Sequence, residues 1–250
     1  MLRNDLVNAL NSLLNVGLIK DYCPNGLQIE GSASVQKIIT GVTASQALID
    51  RAVEEGADTI IVHHGYFWKN ENPVITGMKK RRFSSLFSND INLIAYHLPL
   101  DVHPIYGNNA QLAKHLGVNV SGFLNASPDG VVQYAELDEP ISLQVIAERL
   151  SASLNRSLLI EGAKDKLIQR LAWCTGGGQG YIDLAANNGM DLFVTGEVSE
   201  QTIHSAREQD IAFIAAGHHA TERYGVMALA EYLQTQYNLD AQFIDIDNPA

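Results

Sequence analysis

Apolar and polar positions along this chain switch repeatedly between the 3.6-residue period of amphipathic helices and short unbroken apolar runs, and the order of the switches predicts its elements. Residues 2–14 carry apolar side chains at helical spacing, and the turn-rich Asp21-Tyr22-Cys23-Pro24-Asn25-Gly26 then leads into a strand-like Leu27-Gln28-Ile29. Strand and helix alternate from there. Val35–Val42 reads as a strand, 45–55 as a helix, Thr59–Val62 as a buried strand, 77–88 as a helix, Ile91–Tyr96 as a strand and 108–116 as a helix. Such alternation implies crossover connections, and hence a mainly parallel sheet covered by helices.

Residues 121–140 break the rhythm. They are rich in Ser, Asn, Pro, Asp and Gly with little periodicity, and read as a link between two lobes. The alternation then resumes with a helix over 142–154, a strand at Leu167–Trp173, a helix over 181–188, a strand at Leu192–Thr195, a helix over 199–208, a strand at Ile211–Ala216, a long helix over 220–236 and a last strand at Ala241–Ile246. Gly56-Ala57-Asp58-Thr59-Ile60-Ile61-Val62 has a counterpart in Gly189-Met190-Asp191-Leu192-Phe193-Val194, and Ile91-Asn92-Leu93-Ile94-Ala95 has one in Ile211-Ala212-Phe213-Ile214-Ala215. The expected fold class is therefore α/β, a duplication of two similar three-layer lobes with mainly parallel sheets. The lobes are expected at 1–125 and 126–250, with the last strand a candidate to return to the first.

Composition narrows the setting. With 250 residues, 46% of them apolar, the chain can bury a substantial core. Its formal charge of −11 is spread along the sequence, which favours solubility and argues against nucleic acid as a partner. Lys79-Lys80-Arg81-Arg82 is a local exception and reads as the solvated face of a helix. Two cysteines, Cys23 and Cys174, exclude a disulfide framework and a thiolate zinc site. No signal pattern and no run of eighteen apolar residues occurs, so a cytoplasmic protein outside the membrane is expected.

The candidate chemistry collects where strands end, the place at which parallel α/β sheets bind ligands. His63 and His64 follow one predicted strand, His97 and Asp101 the next, and His218 and His219 a strand of the second lobe. Imidazoles mixed with carboxylates suit Zn, Mn, Fe or Co, whereas an all-oxygen set would favour Mg or Ca. His218 and Glu222 are four residues apart where a strand gives way to the long helix, so one helical face can present both. Adjacent side chains such as His63 and His64 leave an extended backbone in opposite directions, which suggests two ions unless the turn at Gly65 redirects one ring, with Asp101 completing one ion or bridging both and Glu222 the other bridge. His97 is a candidate metal ligand, a group orienting a ligand or a general acid/base, the last two preferred, and Glu197 either orients a ligand, contacts substrate or is structural. Cys174-Thr175-Gly176-Gly177-Gly178-Gln179-Gly180 joins a strand to a helix and is either an anion-binding loop or a tight turn; it is neither a Walker loop nor a dinucleotide fingerprint.

Five separated motifs, in order, resemble the Nif-three-like family, the GTP cyclohydrolase type-two homologues. They are Asp21-Tyr22-Cys23-Pro24-Asn25-Gly26-Leu27-Gln28, Val62-His63-His64-Gly65, His97-Leu98-Pro99-Leu100-Asp101 with Asn108-Asn109, Thr175-Gly176-Gly177-Gly178, and Gly217-His218-His219-Ala220-Thr221-Glu222. The resemblance spans the chain. It implies two linked α/β lobes, a dinuclear divalent-metal site held by His63, His64, Asp101, His218 and Glu222, and a ring-shaped homohexamer. His219 is the less favoured of its pair, because relatives often carry an aromatic residue there. The family name implies metal-dependent hydrolysis of a purine nucleotide or related heterocycle, with His97 a candidate proton donor. The competing expectation is a non-enzymatic metal-binding or adaptor protein.

Overall fold

In the computed structural model, which describes all 250 residues, the chain forms two compact units, Met1–Leu100 with Gly225–Asp247, and Asp101–Tyr224 with Asn248–Ala250. The first is built on a five-stranded sheet of β1 (Gly26–Ile29), β2 (Lys37–Thr43), β3 (Thr59–His64), β4 (Asn92–Ala95) and β11 (Asp240–Phe243), in the order β1-β4-β3-β2-β11. β4, β3, β2 and β11 run parallel and β1 pairs antiparallel at the edge. The strands are short apolar runs because both faces of such a sheet are covered. Ile39, Ile60, Val62 and Leu93 pack on α2 (Gln46–Glu54) and α3 (Gly77–Ser88) through Leu48, Ile49, Phe83 and Leu86. Ile38, Ile61 and Ile94, pointing the other way, are also fully buried. Helix α1 (Arg3–Leu13) buries Leu6 and Leu10, and its Asn11 accepts a hydrogen bond from the Tyr96 hydroxyl at 2.9 Å.

The second unit carries a six-stranded sheet of β5 (Gly122–Phe123), β6 (Gln133–Ser142), β7 (Leu159–Glu161), β8 (Leu167–Cys174), β9 (Leu192–Thr195) and β10 (Ala212–Ala215), in the order β5-β6-β8-β9-β10-β7. Its centre, β8-β9-β10, is parallel, and the flanking pairs are antiparallel, so this sheet is mixed where a mainly parallel one was expected. Alternate side chains supply two cores. Leu171, Trp173, Val194 and Ile214 meet α5 (Asn108–Leu116) and α6 (Leu143–Leu154), while Ala172, Phe193 and Phe213 meet α7 (Ile182–Asn187) and α8 (Glu200–Glu208). Helix α5 thus belongs to the core of the second unit, although the sequence pattern placed it at the end of the first lobe. Serine side chains start three helices: Ser45 for α2, Ser142 for α6 and, in a reciprocal pair with Thr202, Ser199 for α8.

Strands β6 and β7 lie where none was expected. In β6 only Gln133 to Glu136 alternates between buried and exposed, one of its buried residues is polar, and its pairing with β8 shifts between Glu136 and Ile141, around Pro140. The short α4 (Leu98–Val102) carries Asp101, and α9 (His218–Tyr237) begins two residues before the predicted start, so that His218 opens it. No helix is long and apolar enough to cross a membrane.

The repeat seen in the sequence has a structural reason. Gly56 and Gly189 both take a left-handed backbone, φ +68 and +70, which turns the chain out of the preceding helix. Two residues on, Asp58 Oδ2 accepts the backbone N–H groups of Gln36 and Lys37 at 2.7 and 3.0 Å, and Asp191 Oδ2 those of Gln169 and Arg170 at 2.9 and 2.8 Å. Each aspartate therefore anchors the neighbouring strand just before its parallel pairing with the aspartate's own strand begins. Removing either carboxylate strands two amide donors, so Asp58→Ala and Asp191→Ala should each lower stability by about 2 kcal/mol, seen as a lower urea midpoint at unchanged slope. A loss below about 0.5 kcal/mol, the scale of a neutral surface substitution, would show that the aspartates do not set the register.

Candidate metal centre

The strand-end histidines of the first unit converge. Ring nitrogens of His63, His64 and His97 all lie within 4.8 Å of one another, a grouping able to hold a metal ion. His63 is fully buried; its Nδ1 sits 2.9 Å from the backbone oxygen of Tyr96, so that nitrogen carries the proton and Nε2 carries the lone pair. The contact follows from register, since Val62 pairs with Ala95 and their successors end up side by side. His64 Nδ1 is 3.2 Å from the Thr43 hydroxyl, across the β2–β3 pairing. Ligating histidines are characteristically oriented in this way, through the nitrogen that does not touch the metal.

His97 is held by Asp21, Nδ1 to Oδ1 at 3.0 Å, and both side chains are nearly inaccessible, 8% and 3% exposed. Asp21 does more than orient one ring. Its oxygens also accept the backbone N–H groups of Tyr22 at 2.7 Å and Leu98 at 2.9 Å and the side-chain amide of Asn25 at 2.9 Å, while Asn25 Oδ1 takes the His97 N–H at 2.7 Å. Burial opposes ionisation, yet the bonds from His97 and Asn25 and the charge of His97 prevail and lower the Asp21 carboxyl to about 2. Asp21 occurs in the first motif of the sequence analysis but received no role there, because an acid in a turn segment looks like an ordinary turn residue.

The second unit gathers the carboxylates. His218 and Glu222, four residues apart on α9, meet at 3.0 Å between Nε2 and Oε2. On the other side of the same ring, Nδ1 lies 2.7 Å from Glu197 Oε1, and Gln179 donates to Glu197 Oε2 at 2.9 Å. Glu197 is thus the outer partner of His218. Burial alone would lower the His218 pKa, but Glu222 and then Glu197 outweigh it and raise it to about 9. Carboxylate oxygens of Asp101 and Glu222 come within 4.8 Å of each other, with the residues 6% and 3% exposed. Asp101 Oδ1 accepts from Asn108 at 2.9 Å and from the Thr175 hydroxyl at 3.3 Å. Burial, together with these two acids, pushes the Cys174 thiol well above its ordinary range, which makes it a poor nucleophile.

The glycine loop serves the carboxylates by leaving room. At Gly176, φ +62, a Cβ would run into the Glu222 carboxylate and crowd His218 Nε2. The Gly176 N–H bonds Thr221 Oγ1 at 3.0 Å and the Gly178 N–H bonds Thr195 Oγ1 at 3.0 Å, so these donors are spent inside the fold rather than facing an anion. Of the two sequence readings, the tight turn holds. Asn109 locks it: its Oδ1 accepts from the Thr175 N–H at 2.9 Å, and its amide donates to the Gly130 and Val131 carbonyls. The remaining histidines have other duties. His103 Nδ1 accepts the N–H groups of Ile105 and Tyr106, and the His219 backbone N–H bonds Ala250 O at 3.2 Å.

Imidazole rings oriented by hydrogen bonds at Nδ1, clustered buried acids and a glycine that keeps space before the acids fit divalent transition metals. Asp21 yields a test independent of metal. Its folded pKa of about 2 lies below the unfolded 3.8, so the folded state binds fewer protons and gains stability above pH 3.8 that is lost as pH falls through 2. In urea denaturation with chelator present, Asp21→Asn should cost about 2 kcal/mol at pH 6, and the gap from wild type should close toward pH 2. A gap constant across that range would exclude an ionised Asp21 as its source.

Comparison with known proteins agrees with the resemblance read from the motifs. The family profile described as Duf34/NIF3 (NGG1p interacting factor 3) matches residues 1–249. The chain is 56% identical over 251 residues to a protein of Escherichia coli strain K12 named GTP cyclohydrolase 1 type 2 homolog, covering 100% of both. It is 55% identical over 242 residues to the protein of the same name from Vibrio cholerae serotype O1, covering 96% of each. Among solved structures, protein ybgI, described as of unknown function, superposes with a TM-score of 0.95 at 56% identity over 100% of both chains. A Thermus thermophilus protein does so with 0.87 at 36%, covering 100% of this chain and 99% of its own. With the profile spanning nearly every residue and identity to both named relatives above one half, the chain belongs to the Duf34/NIF3 family.

Proposed function

We propose that this protein binds two divalent transition-metal ions through His63, His64, Asp101, His218 and Glu222, and uses them to hydrolyse a purine nucleotide or a related heterocycle. The observation that carries the reading is the paired fixing of donors: His218 between Glu197 and Glu222, and His63 turned by the Tyr96 carbonyl. Relatives named as GTP cyclohydrolase homologues supply the substrate class. When bound, such ions supply a water acidic enough to react near neutral pH. The chain's own residues hold the donors in place, and His97, steadied by Asp21, is positioned to give or take a proton at Nε2. A homohexameric ring in the cytoplasm belongs to the same reading.

Elemental analysis and GTP turnover test it together. About two ions per chain are expected in wild type, with metal and turnover both lost in His218→Ala and Glu222→Ala. Metal bound without turnover of any nucleotide would replace the hydrolase by a metal carrier, and a chain that stays metal-free on reconstitution would remove the site.

Protons report on His218 separately. Its ring, held protonated to about pH 9 without metal, must lose the Nε2 proton to become a ligand. Metal uptake at pH 7.5 should therefore release a proton attributable to His218, and apparent affinity should climb with pH and flatten near 9. Calorimetry in buffers of different ionisation enthalpy measures this, and a release unchanged in His218→Ala would take His218 out of the ligand set.

A further inference from the structure

His97 sits in a wall of rings in the first unit. Tyr22 meets it edge-on with centroids 5.0 Å apart at 69°, and Trp68 does the same at 4.9 Å and 86°. Tyr22 and Trp68 are 5.9 Å apart and tilted by 38°, and Trp68 lies 5.9 Å from His64. A packed core would hide such rings, but Tyr22 is 52% exposed and Trp68 only half-buried. Their setting is nevertheless built. The Lys69 N–H donates to the Tyr22 carbonyl at 2.8 Å, which ties the two aromatic segments together. Glu71 Oε2 accepts the N–H groups of Phe67 and Trp68 at 2.8 and 3.1 Å, and Lys79 pairs with Glu71 at 2.9 Å. Phe67 is held at φ +65, a left-handed backbone that bulky residues rarely adopt unless the surroundings impose it.

Two polar atoms of this wall are engaged within the fold. The Trp68 indole N–H donates to the Gly65 carbonyl at 3.2 Å, and His97 Nδ1 is engaged by Asp21. What the wall offers a ligand is the faces of its rings, and these recognise another flat π-system by stacking, with little dependence on its hydrogen-bonding edge. A pre-set platform also spares the ligand the cost of ordering it.

The geometry points to Tyr22 and Trp68 as a stacking subsite for the flat heteroaromatic ring of a free nucleotide, beside His64 and His97. The chain's charge of −11 favours a free nucleotide over a nucleic-acid strand. This deepens the hydrolase reading by naming the surface that takes the base, and because stacking needs no metal the two can fail separately.

The test is a titration of the metal-stripped full-length protein with GMP, followed by tryptophan emission. Of its two tryptophans Trp173 is fully buried, so a ligand in the subsite acts on Trp68. GMP should quench saturably, and ribose 5-phosphate, which lacks the base, should not. Tyr22→Ala should weaken GMP binding about tenfold, the loss expected from one stacked ring, while Tyr22→Phe keeps wild-type affinity. If Tyr22→Ala does not fold, Trp68→Leu measured by calorimetry takes its place with the same expectation. Equal binding of ribose 5-phosphate, quenching that never saturates, or wild-type affinity in the folded alanine variant would overturn the subsite. GMP binding that follows this pattern, with no turnover by the metal-loaded protein, would keep the subsite and remove the hydrolase. Turnover with GMP affinity unchanged in Tyr22→Ala would remove the subsite alone.

Discussion

Everything in the candidate centre depends on which nitrogen of each histidine is already committed. His63, His64, His97 and His218 each use Nδ1 on a fixed partner: a backbone carbonyl, a threonine hydroxyl, an aspartate and a glutamate. The carbonyl and the carboxylates accept from Nδ1, while the Thr43 hydroxyl orients the His64 ring without choosing its tautomer. Two of those partners are products of strand register. If β3 slipped by one residue against β4, the Tyr96 carbonyl would no longer face His63, and the alternation of the strand would turn the ring to the opposite side of the sheet. The core that holds the register, Ile60 and Val62 against Leu48 and Leu86, is therefore as much a part of the site as the histidines are.

The two units repeat one device at the start of their central strands and differ at the strand ends. Asp58 and Asp191 occupy equivalent places and bond equivalent pairs of amides, so the two sheets begin their central strands in the same way. Counting from those aspartates, His63 and His64 correspond to Gly196 and Glu197. One copy presents nitrogen donors there; the other has a glycine, which allows close approach of the backbone at Gly176 and His218, and a glutamate that orients His218. At equivalent strand ends the first unit thus carries His63 and His64, and the second carries Gly196 and a glutamate that holds His218.

Much of this was legible from the residues. The apolar runs that became β3, β4, β9 and β10 stand out because strands buried on both faces tolerate little else, and histidines follow three of them, β3, β4 and β10. The helices over 45–55, 108–116 and 199–208 follow from their apolar spacing. Three things were hidden. β6 has a polar residue at a buried position and a proline at its irregular point, so neither alternation nor an apolar run marks it. Asp21 acts across 76 residues on His97, and a long-range partner leaves no local signature. The glycine loop looked like a phosphate cradle because its composition permits one, but the threonines that take up its amides lie at 195 and 221, far along the chain.

Charge explains why the acids of the second unit need what the proposal supplies. Asp101 and Glu222 are nearly inaccessible and have carboxylate oxygens within 4.8 Å of each other, while Glu197 lies on the far side of His218. Buried like charges disfavour one another, and their shared field adds to burial in suppressing ionisation of Cys174. Without metal, His218 answers by holding its proton to about pH 9. That proton contributes a single positive charge at the nitrogen where a ligand bond would form. A divalent ion held there in its place would bring two, with His218 and Glu222 as the residues that would hold it. The carboxylates that raise the His218 pKa are the groups that, under the proposed function, would hold a divalent cation beside it.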